Sequence, residues 1–467
     1  MKPTDLEFRL NGRAQAIGDG EPTESLLRWL HRQGLRGTKE GCGDGDCGAC
    51  TVLLVRPDAP SDRRLLAINS CLLPMGQLAG REVYTVEAVA ADGQLHPVQQ
   101  AMVRQGGSQC GYCTPGFVMS LLAGQYAGQL DAHCFEGNLC RCTGYRPIRA
   151  AAAELAAQAL PADQFAQRCQ SPPSALPATD QPGFHCPTSL AEALRLKAEQ
   201  PQASWIAGAT DLGVGLSQHR PPAPAYIALD RVSELQRLQL EAEQTIIGAG
   251  VSLRQLELSL GDAHPALTQM LSVFAARQVR ERATLGGNLG TASPIGDLLP
   301  VLLALDARLE CHSLRGVRQI EVAEFFNGYR QTALAEDELL ARVRLPRPPG
   351  LISASYKVSK RPSDDISIVA AAFALRLDDE GRVVHARLAY GGVAATPVRA
   401  LAVEQSLLGQ RLDETLAQAA MTALRESFEP LNDQRASADY RRSLCASLFG
   451  RFLAESCGLA TPLGADA

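Results

Sequence analysis

A chain of 467 residues exceeds one ordinary core, and domains of roughly 100–200 residues predict three or four of them. Apolar residues at 46% and charged residues at 20% exclude a disordered or fibrous chain, and a formal charge of −5 excludes a general attraction to nucleic acid or anionic lipid. No apolar run reaches the length of about 18 residues that a membrane span needs, and MKPTDLEFRL lacks the core of a secretory signal, so a cytoplasmic protein is expected.

In chain order, LEFRLNGRAQAI alternates as two strands about an Asn11-Gly12 turn, an amphipathic helix follows near SLLRWLHRQG, and TVLLV at 51–55 reads as a strand. Residues 1–86 are therefore expected to form a small β-rich domain. Residues 97–105, 115–127 and 147–160 each open on a proline and carry apolar residues at helical spacing, which predicts a helical domain over 87–160. The stretch 161–187 holds proline, alanine and polar residues without a periodic run and reads as an inter-domain linker. Beyond it, strand-like SWIAG, TIIGAG and RLECHS alternate with helix-like SLAEALRLKAEQ and DLLPVLLALDA, an α+β pattern over 188–346. From 347 to 467, ISASYKVSK, ISIVAAAFALRL and VVHARLAYGGV read as strands and the part after 400 as helices.

Fourteen cysteines are many for a reducing compartment, where stable disulfides are rare. Eight fall into two groups: Cys42-x4-Cys47-x2-Cys50 with Cys71, and Cys110-x2-Cys113 with Cys140-x-Cys142. The first spacing is the plant-type 2Fe-2S pattern, in which a loop wraps the cluster and a fourth thiolate arrives from a distance. A four-cysteine zinc site prefers two knuckles of C-x2–4-C and fits this spacing poorly. Taken alone, the second group is compatible with zinc, a redox dithiol or another cluster, and the company of the first group favours a second 2Fe-2S centre. Cys134, Cys169, Cys186, Cys311, Cys445 and Cys457 are isolated and read as small buried hydrophobes.

Two glycine-rich stretches stand out farther on, IAGATDLGVGL at 206–216 and ATLGGNLGTASPIGDLLP at 283–300. Such turns let backbone N–H groups approach a pyrophosphate, although neither is a Rossmann fingerprint or a Walker loop, and an ordinary tight turn is the alternative for each.

With these residues in view, the chain resembles the iron–sulfur and FAD part of the xanthine dehydrogenase family of molybdenum hydroxylases, and within it the small subunit of bacterial two-subunit members. GCGDGDCGACTV, QCGYCTPGFVMS, GNLCRCTGYRPI, ATLGGNLGTASPIGDLLP, FFNGYR and KRPSDDISIV resemble family motifs in the family's order. The resemblance implies a β-grasp plant-type ferredoxin domain, a four-helix 2Fe-2S domain, an α+β FAD-binding domain of the molybdenum hydroxylase flavoprotein type and a C-terminal α+β flavoprotein domain. It implies FAD contacts by Ile206, Ala207, Gly208, Ala209, Thr210, Asp211 and Leu212, then by Thr284, Gly286, Gly287, Asn288, Thr291, Asp297, Leu340 and Lys357. Thr and Asp beside glycine also cap helices and turns, which is the plainer reading of those side chains. Phe274 and Tyr329 resemble the aromatic residues near the flavin between which the family places NAD, with core packing as the alternative. Gln109 resembles a residue that meets a pterin across a subunit interface. The resemblance further implies electron flow from a molybdopterin centre on a larger partner subunit through two 2Fe-2S clusters to FAD and NAD, in a dimer of heterodimers oxidising hypoxanthine or xanthine to urate. An equivalent subunit for aldehydes or other N-heterocycles is the alternative, and a zinc-stabilised interaction module is an alternative of another class. Lys360–Ile366 resembles the loop beside the family's flavin, but its proline and serine depart from the animal enzymes, so no switching between acceptors is carried over.

Overall fold

The computed structural model describes residues 6–18, 20–172 and 179–459. They form two compact units, Met1–Arg231 with Ala275–Ala283, and Val232–Phe274 with Thr284–Ala467.

The first unit begins with the hairpin Glu7–Leu10 and Arg13–Ala16, closed by Asn11 and Gly12, both at positive φ as a type I′ turn requires. Glu82–Tyr84 joins this hairpin in parallel, and Thr51–Val55 and Leu65–Asn69 complete a five-stranded sheet of β-grasp type, with helix Leu26–Arg32 packed on it. Thr51–Val55 is buried along its whole length because both of its faces are covered. Val52 and Leu54 meet Trp29 and Phe8 on one side, while Leu53 and Val55 meet Phe117 and Leu121 of helix Thr114–Tyr126 on the other. The β-rich and helical regions thus each have a core of their own, and this one strand lines both.

Helix Thr114–Tyr126 is the pillar of the helical region. Eleven of its thirteen residues are buried, and Pro97–Arg104, Arg146–Ala156 and Gln164–Gln170 complete four helices in the same core. The last of these corrects the linker expected at 161–187. Asp163 caps it by accepting from the amides of Phe165 and Ala166, and Phe165 and Cys169 are buried with the other helices. Phe184, at the far end of the expected linker, starts a three-stranded parallel sheet with Ser204–Ile206 and Tyr226–Ala228, and a side chain at Gly76 would overlap its ring. The rest of the expected linker, 173–178, lies outside the described residues.

The second unit carries two larger antiparallel sheets and the small hairpin Phe326–Gly328 with Gln331–Thr332. One runs in the order Gly316–Glu321, Arg308–Ser313, Leu339–Pro346, Gln244–Gly248, Leu238–Leu240; the other Ile352–Val358, Val369–Leu377, Val383–Gly391, Val398–Arg399. Helices Pro265–Val273 and Leu298–Ala304 rest on the second sheet, so the expected boundary near 347 is crossed by tight packing. Helices Glu414–Arg425 and Ala438–Cys457 pack into the same core. Among the described residues, no helix is long and apolar enough to cross a membrane.

Phe373 lies at the centre of this core, with the rings of Tyr356, Tyr390, Phe449 and Phe452 all within about 6 Å of it. Phe373→Ala is expected to cost about 3–5 kcal/mol and lower the thermal midpoint of unfolding; an unchanged midpoint by calorimetry would contradict this packing.

Candidate functional site

The loop 41–50 hangs between helix Leu26–Arg32 and strand Thr51–Val55. Asn69 Nδ2 donates to the Gly45 carbonyl at 2.5 Å and Ser70 Oγ to the Cys50 carbonyl at 2.7 Å, which fixes the loop from the end of the neighbouring strand. Its thiols meet in pairs. Cys50 and Cys71 have their sulfurs 3.3 Å apart, and Cys42 faces Cys47, whose amide donates to the Cys42 sulfur at 3.3 Å. The second group repeats the arrangement, with Cys110 facing Cys142 and Cys113 facing Cys140.

In every pair, one thiol is shifted toward the thiolate and its partner away from it. The bond from Cys42 pulls Cys47 down to about 6 and leaves Cys42 well above the ordinary thiol value. Cys71 lowers Cys50 and is itself raised by that bond and by burial. Cys110 is lowered first by the Tyr112 amide and then by Cys142, which rises in turn. Burial and then the bond to Cys140 push Cys113 up to about 12, whereas at Cys140 burial is outweighed by donors from Thr143 and the Cys142 amide. Four thiols brought together in two facing pairs fit a group with two irons and four thiolate ligands. Among the described residues, no group of three or more His, Cys, Asp or Glu side chains is arranged to hold a single metal ion. Burial instead raises Cys134, Cys169, Cys186, Cys311, Cys445 and Cys457 to about 11 or 12, the behaviour of inert core thiols.

The two groups touch through backbone. The Leu139 amide, next to Cys140, donates to the Cys47 carbonyl at 3.0 Å. The following carbonyl, Gly48, accepts from Asn138 Nδ2 at 2.9 Å and lies so close to Gly116 that a methyl group there would overlap it. Asn138 Oδ1 accepts in turn from Ser120 Oγ at 2.6 Å and from Gln278 Nε2 at 3.0 Å, all three residues being buried. Sequence reasoning missed this brace. Asn138 lies within the quoted GNLCRC motif, but its amide carries no signal of a partner 90 residues away, and Gln278 carries none at all.

On its other side, the first group adjoins the glycine-rich turn of the same unit. Cys50, Cys71 and Leu72 pack with Val214, and a side chain at Gly213 would overlap the Leu72 backbone. Gly208 is equally confined, by the carbonyl of Arg282, and Ala209 adopts a positive φ of 63°. Arg282, which burial pulls down to about 10, donates to the Gly208 carbonyl at 3.0 Å and to Gln77, and Gln77 donates to the Ala207 carbonyl at 2.6 Å. Ile206 is buried, whereas Asp211 and Leu212 are exposed at the start of helix Leu212–Ser217. Gln109 and Cys110 are exposed together at the second group.

In the second unit, the glycine-rich stretch forms helix Leu285–Thr291. Thr284 caps it by accepting the Gly287 amide at 3.0 Å, so the plainer reading of this threonine is the one observed. Gly286 lies too close to Ala249 to carry a side chain, while Gly290 faces open space. Asn288 keeps a buried Oδ1 without a partner, which fits a helix start that receives a polar ligand such as FAD. Thr291 is half-buried at the last position of this helix. Asp297 and Lys357 are brought together in a buried 2.8 Å ion pair, with Ser367 donating to the same carboxylate and Lys357 to the Val273 carbonyl beside Phe274. Through Lys357, this pair is tied to the Val273–Phe274 turn. Leu340 is buried in its strand, Phe274 is half-buried at the end of a helix, and Tyr329 is exposed at the tip of a two-stranded hairpin.

Family models match in the same order along the chain. A 2Fe-2S iron-sulfur cluster binding domain matches residues 8–75, a 2Fe-2S binding domain 85–153, the FAD binding domain in molybdopterin dehydrogenase 178–348, and the CO dehydrogenase flavoprotein C-terminal domain 354–456. Together these four matches, in this order, are consistent with the xanthine dehydrogenase family. It is 32% identical to a xanthine dehydrogenase of Emericella nidulans over 96% of this chain and 38% of that protein, and 34% identical to one of Drosophila pseudoobscura pseudoobscura over 96% and 39%. It therefore spans about two fifths of the length of these curated relatives. A solved carbon monoxide dehydrogenase from Hydrogenophaga pseudoflava matches with a TM-score of 0.56 and 28% identity, over 60% of this chain and 98% of its own; quinoline 2-oxidoreductase from Pseudomonas putida 86 gives 0.55 and 29%, over 60% and 98%. The chain is thus an iron–sulfur and FAD electron-transfer module of this oxidoreductase family.

Gly116→Ala places a methyl group where the Gly48 carbonyl lies, and overpacking of this kind costs about 1–3 kcal/mol. The expected result is less bound iron per chain with flavin content retained; wild-type iron content would contradict the close approach.

Proposed function

We propose that the chain is the iron–sulfur and FAD subunit of a xanthine dehydrogenase, working beside a larger molybdopterin-binding subunit in the oxidation of hypoxanthine and xanthine to urate, with NAD as acceptor. The single observation that carries this reading is the unbroken contact in the first unit from Cys140 and Leu139 to Cys47, and from Cys71 and Leu72 to the turn 206–214. Two-iron centres, when bound, handle electrons singly, and FAD exchanges single electrons for the pair that NAD takes. One chain holding both kinds of site can join a one-electron donor to a two-electron acceptor.

Each part of the chain has a role in this reading. Cys42, Cys47, Cys50 and Cys71 hold one centre and Cys110, Cys113, Cys140 and Cys142 the other. The exposed Gln109, Cys110 and Cys142 face the partner subunit, in a dimer of heterodimers. The backbone of 206–212 and the helix start at 284–291 contact FAD, with Asn288 the side chain best placed to bond it. Asp297 and Lys357 serve the flavin side by fixing the turn that carries Phe274, and Phe274 and Tyr329 serve NAD. Protein of this kind works in the cytoplasm. A second reading, an equivalent subunit for another N-heterocycle, draws support from the likeness to quinoline 2-oxidoreductase. The xanthine dehydrogenases match 96% of this chain on one polypeptide, whereas the matched chain of that structure aligns with 60% of it, a likeness of chain organisation that supports the first reading.

The test is xanthine-dependent NADH formation by the complex that co-purifies with this chain. Activity is expected; a complex loaded with iron, flavin and molybdenum that ignores xanthine would overturn the substrate and leave aldehydes and other heterocycles. Within an active complex, Cys113→Ser is expected to slow xanthine-to-NAD turnover by at least about tenfold, roughly 1.4 kcal/mol in barrier, while NADH-driven flavin reduction persists. Equal loss of both would contradict the proposed order of centres.

A further inference from the structure

A ring of hydrogen bonds closes around Cys140. Its own amide donates to the Tyr145 hydroxyl at 3.0 Å, the Tyr145 amide donates to Thr143 Oγ1 at 3.2 Å, and Thr143 Oγ1 lies 3.1 Å from the Cys140 sulfur. The Thr143 amide reaches the same sulfur at 3.4 Å. Gly144 and Tyr145 both hold left-handed backbone, with φ of 63° and 66°, and a tyrosine adopts that conformation only where its surroundings impose it. The strain falls on the residue whose amide and hydroxyl close the ring.

The direction of the central bond follows from proton counting. A hydroxyl has one proton to donate, and Oγ1 already accepts from the Tyr145 amide. A cysteine sulfur bound to iron carries no proton and can only accept. Thr143 must therefore donate to it. A donor to a ligating sulfur stabilises the more negative, reduced state of the centre and raises its potential. In the first group, the Cys42 sulfur receives a backbone amide, that of Cys47, which no side-chain substitution removes. At Cys140 the Thr143 amide is joined by a closer side-chain donor, the Thr143 hydroxyl, and that one the sequence can adjust.

We propose that Thr143 sets the reduction potential of the centre held by Cys110, Cys113, Cys140 and Cys142, a role that rests on reading this group as a two-iron centre. Thr143 is a positioning and tuning residue that acts through Cys140. Its hydroxyl shifts that centre upward relative to the same four thiolates without it. Potential, unlike ligand identity, can then change by substitution of a residue outside the ligand set.

The experiment is a potentiometric titration of the purified holoprotein followed by electron paramagnetic resonance, with wild type, T143V and T143S compared. Valine keeps the shape and removes the proton; serine keeps the proton. In T143V one of the two iron–sulfur signals is expected to titrate lower, the ratio of reduced to oxidised centre at fixed poise falling about tenfold, which is about 59 mV for one electron. The other signal stays in place, and T143S titrates with wild type. An unshifted signal in T143V, an equal shift in T143S, or a shift of both signals together would overturn the proposal. Should T143V lack the centre, T143A carries the same expectation, because Thr143 is half-exposed and its truncation leaves no sealed cavity. A wild-type protein with a single iron–sulfur signal would overturn the reading of the second group itself.

Discussion

One carbonyl oxygen, that of Gly48, holds the iron–sulfur half of this molecule together. It belongs to the loop between Cys47 and Cys50, it accepts from Asn138 two residues before Cys140, and it lies against the bare backbone of Gly116 at the start of the pillar helix. The same oxygen accepts from the Thr51 hydroxyl at 2.6 Å and the Thr51 amide at 3.1 Å, which fix it within its own loop, so the Asn138 amide meets an acceptor already held in place. Because Asn138 is also held by Ser120 and Gln278, the two cysteine loops cannot shift independently without leaving buried polar atoms unpaired, each at a cost of about 1–3 kcal/mol. Rigid spacing between centres follows from this local chemistry, and rigid spacing is what electron transfer between fixed sites requires.

The same logic extends toward the flavin. Ala275–Ala283 belongs to the first unit although its sequence neighbours Phe274 and Thr284 belong to the second. Within the first unit this strap supplies Gln278 to the Asn138 brace, Arg280 to a buried pair with Glu136, and Arg282 to the Gly208 carbonyl. The segment that braces the cysteine loops is therefore also the one that positions the turn 206–212.

What was legible in the sequence was local. The Asn11-Gly12 hairpin, the proline-led helices and the C-terminal strands appear where turn chemistry and periodicity place them, and cysteine spacing marked both groups. What was illegible depended on long-range burial. Helix Gln164–Gln170 is too short to show a period and is fixed by the burial of Phe165 and Cys169. TVLLV gave no sign that its two faces serve two cores. The readings of Thr284, Asp297 and Lys357 as flavin contacts came from resemblance, and the helix cap and buried ion pair that engage those side chains had no signal in the sequence. Glycine spacing showed where backbone approaches something closely, yet at Gly116 and Gly208 that something is the chain's own carbonyl.

The central claim is that two iron–sulfur centres lie in direct contact through the Cys47 and Leu139 backbone. The measurement that tests it most directly is the electron paramagnetic resonance of the fully reduced protein at low temperature, compared with protein reduced only far enough to populate one centre. The account predicts two distinct signals that split or broaden each other when both centres are reduced. A single signal, or two signals that superpose without mutual effect, would contradict it.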